Sequence, residues 1–226
     1  MFVTPDPEAI DDDARDRVVV EGPDALAYLH SQVSQNLLRL AVGDTTWTLV
    51  LDPTGKVVSL ARVRRTGEER FELDTDAGFG APLLARLDRF RIRVDATTSL
   101  VEASNAEPAD VHEAARVAYG WPRMGHEIVP GETIPATTGV VPVAVDFAKG
   151  CYPGQELVER MDSRGAHAPN AIRIVDVAPG AAVGDPVHEP DGSEVGTITS
   201  VSPDGSAALA LVRRGADVGR PPVHLR

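Results

Sequence analysis

Two runs rich in β-branched and apolar residues, Thr45 to Leu51 and Lys56 to Arg64, are separated only by Asp52-Pro53-Thr54-Gly55. Proline in the second place and glycine in the fourth are turn chemistry, so the runs read as two strands held side by side by a tight turn. Around this pair the pattern alternates. Arg17 to Glu21 reads as a short strand. Gly22-Pro23-Asp24 then opens a helix in which Leu26, Leu29, His30, Val33 and Leu37 recur at helical spacing, with Asp24 as its N-cap. Arg70 to Leu73 is a further strand, Pro82 to Phe90 a second helix, and Arg91 to Val94 returns to extended structure. Strand–helix–strand–strand–strand–helix–strand predicts an α+β sheet with its helices packed on one side.

The second half reads differently. Glu102 to Asp110 is a loop and Val111 to Tyr119 a short helix stopped by Gly120-Trp121-Pro122. Residues 125–142 are expected to be an extended, turn-rich connection. Val143 to Phe147 reads as a strand, and a helix is predicted over 155–161, closed by Ser163-Arg164-Gly165. From residue 168 onward, short extended runs at 172–177, 186–188, 194–200, 207–212 and 222–225 are punctuated by glycine turns. That spacing predicts a small all-β barrel or sandwich. The expected domains are therefore 1–167, subdivided near 100, and 168–226.

Composition narrows the functions. With 22 basic against 34 acidic residues the net charge is −12, which argues against a general binder of nucleic acid. Two arginine clusters, Arg62/Arg64/Arg65 and Arg86/Arg89/Arg91/Arg93, are read as solvated faces. Aromatics are only 4% of the chain, so aliphatic packing dominates the core. No run of about 20 apolar residues predicts a membrane span, and the acidic segment Met1 to Asp16 does not read as an export signal. With one cysteine, a reducing cytoplasm is the expected location.

That cysteine, Cys151, lies in Lys149-Gly150-Cys151-Tyr152-Pro153-Gly154-Gln155-Glu156. A single thiol forms no internal disulfide, so it is either packed or reactive. Its surroundings point to the reactive reading, with a cation at Lys149 and a helix expected to begin just beyond, both of which favour a thiolate. Only two of the 22 basic residues are lysines, Lys56 and Lys149, and each sits in a glycine turn. Where a chain otherwise writes its positive charge as arginine, a retained lysine suggests a place for a compact ammonium. The six histidines, His30, His112, His126, His167, His188 and His224, show no paired ligand spacing, so no metal site is expected. His167 is the nearest histidine to Cys151, but no orienting partner for a Cys–His pair is evident. Walker, dinucleotide-binding and nucleophile-elbow patterns are missing.

The string from Lys149 to Arg160, followed by Arg164-Gly165, resembles the signature of the YgfZ-type proteins, folate-binding relatives of the glycine-cleavage T-protein (aminomethyltransferase). The resemblance extends to Val20 through Ala25 with Leu29 to Leu40, to Leu51 through Val57, to Arg116 through Gly125, to Ile134-Pro135, and to Val195–Ser200 with Ala207–Arg213. It implies a T-protein-like sheet-and-helix domain followed by a C-terminal β-barrel. It also implies a role in iron–sulfur cluster assembly or repair, and indirectly in tRNA modification. The implied ligands are tetrahydrofolate and a transient iron–sulfur cluster; the implied partners are iron–sulfur proteins or their assembly factors, with neither nucleic acid nor membrane bound directly. Cys151 would act as a thiolate, with Lys149, Gly150, Tyr152, Gly154, Gln155, Glu156, Arg164 and Lys56 shaping the motif or touching a ligand. Two other readings stand beside it: a folate-dependent aminomethyl transferase, and a non-catalytic module binding folate or protein.

Departures from the family pattern weigh against transfer chemistry. T-proteins carry acids after the first hairpin glycine, where this chain has Val57-Val58-Ser59-Leu60. Two family tryptophans fall at Arg15 and His112, and the connection between Leu100 and Val111 is short.

Overall fold

The computed structural model describes residues 10–163 and 168–223. Five strands form an antiparallel sheet: β1 (Arg15–Glu21), β2 (Thr45–Leu51), β3 (Val57–Arg65), β4 (Arg70–Asp76) and β5 (Thr97–Val101), in the order β2-β3-β4-β1-β5. The turn at 52–55 joins β2 to β3 as its chemistry dictates, and the alternation along these strands sorts side chains to two faces. Val50, Ala61, Val63, Phe71 and Leu73 face α1 (Ala25–Gln32) and α2 (Gly80–Asp88), where they bury against Tyr28, Leu29, Leu83 and Leu87. Trp47, Leu49, Leu51, Val57 and Leu60 form the opposite core with Trp121, Met124, Val140, Ala144, Tyr152 and Val158.

Helices therefore cover both faces instead of one. The second layer is supplied by α5 (Val141–Ala144) and α6 (Gln155–Ser163), while α3 (Asp110–Tyr119) and α4 (Pro135–Thr138) contact the second sheet. The segment expected as a strand at Val143–Phe147 begins as the end of α5. It pairs with no strand among the described residues; instead the Ser34 hydroxyl donates to the Ala144 carbonyl (2.7 Å), the Gln35 amide to the Val143 carbonyl (3.0 Å), and Asp146 N–H to the Ser34 carbonyl (3.0 Å). The expected strand at Arg91–Val94 is an irregular turn, with Arg93 at φ 57°, and the sheet instead takes Thr97–Val101 as its edge. The first helix ends at Gln32, because Val33 turns extended and bridges Val50.

Beyond residue 168, β6 (Asn170–Asp176), β7 (Pro186–His188), β8 (Glu194–Val201) and β9 (Ala207–Arg213) pair in the order β6-β9-β8-β7. Four of the five expected runs are strands; the run expected at 222–225 is not a strand at residues 222 and 223, and its remainder lies outside the described residues. The sheet is open and not a closed barrel: β6 and β7 do not pair with each other. A buried polar knot joins this sheet to the rest. The Glu127 carboxylate accepts from Arg116 (3.0 Å), Arg123 N–H (3.0 Å), Thr199 (2.6 Å) and Ser200 (2.7 Å). An ion left alone at this depth is costly, and these four donors satisfy it.

Candidate functional site

Two glycine turns meet at the end of the first sheet. In the β2–β3 turn, Asp52 Oδ1 accepts from Thr54 N–H (2.8 Å), the Thr54 hydroxyl (2.7 Å) and Lys56 N–H (3.0 Å). Gly55 has φ 89°, and a side chain there would strike Leu157. The second turn, Lys149 to Gly154, reaches the first through Gly154, which has φ 84° and lies against the Asp52 carbonyl. Only glycine takes this conformation without strain at so close an approach. Gly150 is different: it has no positive φ, and a Cβ there would meet nothing within 4 Å.

Cys151 is exposed, four residues before the start of α6. Gln155, the first residue of that helix, turns back on the loop. Its Oε1 accepts from Tyr152 N–H at 2.8 Å, and its Nε2 donates toward Cys151 Sγ at 3.9 Å. Tyr152 is buried among the second-face core residues, and this burial, with Glu159 nearby, pushes its hydroxyl up to about 12. Thus the thiol faces outward while its neighbour anchors the loop.

Lys149 does not point its ammonium into solvent. Nζ donates to the carbonyls of His30 (2.7 Å) and Val33 (2.9 Å) at the C-terminal end of α1, and lies 4.8 Å from the centre of the Tyr152 ring. Burial lowers its pKa to about 8, against the opposing pull of Asp146 and Cys151. His30 is lowered too, first by burial and then by the Lys149 charge.

A cleft of about 470 Å³ opens beside the thiol, lined by Pro53 and Thr54 of the first turn, Cys151, Tyr152 and Gly154 of the second, and Glu156 and Arg160 on α6. The structure thus brings together Lys149, Cys151, Tyr152, Gly154, Gln155 and Glu156. Lys56 stands apart from the lining; its Nζ donates to the Glu132 carbonyl at 2.9 Å. Arg164 and His167 lie outside the described residues. Among the described residues, no group of three or more His, Cys, Asp or Glu side chains is placed to hold a metal ion.

Sequence reasoning missed the other concentration of polar chemistry. Arg15 donates to Asp74 (2.6 Å) and Asp76 (2.9 Å) and lies 5.5 Å over the Trp47 ring. Trp47 in turn packs on Trp121 with centroids 4.6 Å apart. Arg15, His112 and Trp121 line one cavity of only about 20 Å³. The available signal was the alternation Arg15/Arg17 and Asp74/Asp76 on neighbouring strands, which puts opposite charges face to face.

No protein-family model matches this chain. An uncharacterised protein of Haemophilus influenzae is 27% identical over 239 residues, spanning 86% of this chain and 85% of that one. A mitochondrial iron–sulfur cluster assembly factor IBA57 homolog of Phaeosphaeria nodorum is 29% identical over 113 residues, covering 49% of this chain and 27% of the relative's length. The fold matches the crystal structure of the glycine cleavage system aminomethyltransferase T from Bartonella henselae, with a TM-score of 0.74 over 90% of this chain and 77% of that one at 15% identity. The chain shares the fold of that aminomethyltransferase, and its likeness to the IBA57 homolog fits the YgfZ-type resemblance of its sequence. The segment that resembles the YgfZ-type signature is the thiol loop itself, docked on the β2–β3 turn. None of its helices among the described residues is long and apolar enough to cross a membrane.

Proposed function

We propose that this chain is an accessory factor for iron–sulfur cluster assembly or repair, working in the cytoplasm through the Cys151 thiol. The observation that carries the reading is the exposure of the chain's single thiol at the rim of a cleft built from both glycine turns. The assembly-factor name of one relative supports the same class of function. One cysteine supplies one ligand, so a cluster here is cargo in passage and its other iron ligands belong to a partner. In that contact Cys151 gives its proton to solvent and its sulfur to iron; the chain then hands the cargo to an iron–sulfur client, tRNA-modifying enzymes among them.

A reduced folate is the second ligand of this proposal. The buried carboxylates are engaged, Asp74 by Arg15, Asp16 by the N–H groups of Gly78, Gly80 and Ala103, and Glu127 by its four donors, as is the half-buried Asp76 by Arg15. The groups that suit a folate are instead in the cleft, whose volume falls in the ordinary ligand range. Glu156 would accept from pterin N–H groups and Arg160, one turn along α6, would face the glutamyl carboxylate. The absence of an acid at Val57–Leu60 favours binding without aminomethyl transfer.

The test is Cys151→Ala in cells lacking the wild-type chain. Iron–sulfur enzyme activities should fall while the protein level holds; unchanged activities would sink the proposal. Calorimetry with tetrahydrofolate separates the ligand question, since Glu156→Gln should weaken binding and Cys151→Ser should not.

A further inference from the structure

We propose that Lys149 is a positioning residue for Cys151: its ammonium ties the C-terminal end of α1 to the thiol loop, and the place admits a compact ammonium but not a guanidinium. The inference rests on the reading of Cys151 as the working thiol and assigns Lys149 a part in it.

Four observations meet on this residue. One nitrogen serves two carbonyls, those of His30 and Val33, from a loop more than a hundred residues away. These are carbonyls at a helix C-terminus, where intrahelical donors run out and negative partial charge collects, so a cation is favoured there. The same nitrogen lies over the face of Tyr152, the residue next to the thiol. Beside it, the Ser34 carbonyl accepts from Asp146 N–H, so the loop is tied to the end of α1 on both sides of Phe147. On the outer part of the thiol loop, a Cβ at Gly150 would meet nothing within 4 Å, and Cys151 is exposed.

The geometry also explains why this chain, with only two lysines among 22 basic residues, keeps one here. A tetrahedral ammonium directs separate N–H bonds at two carbonyls while its remaining side rests on a ring. A guanidinium is planar, bulkier, and directs its donors within one plane. It retains the charge and loses the fit. That difference separates a positioning role from a through-space effect on the thiol.

Hydrogen exchange by mass spectrometry on the full chain tests this directly, comparing wild type, Lys149→Met, Lys149→Arg and Lys56→Met. The two segments to follow are 28–35 and 145–153, with 57–76 as an internal control for global opening. Lys149→Met and Lys149→Arg should speed exchange in both segments together by about tenfold or more, as expected on losing charge-assisted bonds. The control segment and Lys56→Met should stay at wild-type rates. Wild-type protection in Lys149→Met, or in Lys149→Arg, would overturn the inference, as would faster exchange in the control segment to the same degree. In cells, Lys149→Met and Lys149→Arg should both lower iron–sulfur enzyme activities at normal protein level; normal activities despite lost protection would likewise overturn it. Cys151→Ala keeps the two readings distinguishable: it should leave both segments protected, so a failure of the thiol reading shows as normal activity in that variant while the loss of protection in Lys149→Met and Lys149→Arg still stands.

Discussion

The backbone of Gly154 runs against the carbonyl of Asp52, so closely that a Cβ at Gly154 would lie 2.5 Å from that oxygen. Through this contact the β2–β3 turn and the thiol loop form one wall of the cleft. Gly154→Ala adds both a clash with backbone and the cost of a left-handed residue, so it should destabilise by about 2 kcal/mol or more. Gly150→Ala, in open space without a positive φ, should stay within about 0.5 kcal/mol of wild type. Urea denaturation of the two variants checks the contrast.

Cys151 is exposed and contributes little to packing. Cys151→Ser should leave stability within about 0.5 kcal/mol of wild type while abolishing incorporation of iodoacetamide. A thermal shift alongside mass spectrometry reads both.

Lys149 carries a pH signature. Its pKa is about 8 in the fold, below the 10.5 of a free lysine, so between those values the unfolded chain binds more protons. Stability should therefore rise with pH through this window, and this contribution is lost as pH falls through 8. His30, Asp146, Cys151 and the Tyr152 ring are the groups around the ammonium. Tyr28 and Tyr152, both pushed up to about 12 by burial, act oppositely above pH 10, where the unfolded chain loses its protons first. The stability difference between wild type and Lys149→Met, followed by urea denaturation from pH 7.5 to 10, should move in favour of wild type as pH rises.

Glu127 holds α3 and β8 together through charged and hydroxyl donors. Glu127→Ala strands the buried Arg116 with Glu113 as its remaining carboxylate, and should cost about 3–5 kcal/mol in urea denaturation.

The rings of Trp47 and Trp121 lie at 57° with centroids 4.6 Å apart, a geometry that couples their electronic transitions. Far-ultraviolet circular dichroism should show a paired positive and negative band that disappears in Trp47→Phe and in Trp121→Phe alike. Each substitution should also lower stability, by about 0.5–1.5 kcal/mol for the ring pair alone.

Most of the strands were legible because their causes are local: alternation sets the face and Asp52-Pro53-Thr54-Gly55 sets the turn. Whether the last sheet closes is not local, since it depends on β6 and β7 finding each other. Val143–Phe147 has the residues of a strand, yet strand formation needs a neighbour, and Ser34 and Gln35 take its carbonyls instead. The thiol loop could be read from its residues, including Gly154 and Gln155. The work of Lys149 showed only as an oddity of composition, because its partners belong to a helix near the other end of the chain.

The bonds from Lys149 to His30 and Val33 close loops of 119 and 116 residues. Contacts so distant in sequence carry a large loop-closure cost and belong with slow, late steps of folding. During synthesis, a chain that has built its first sheet but not yet seated residues 145–154 has an untethered thiol. The cleft is therefore complete only once residues 145–154 have docked on α1 and the β2–β3 turn, so the thiol site is assembled from parts of the chain that meet by long-range closure.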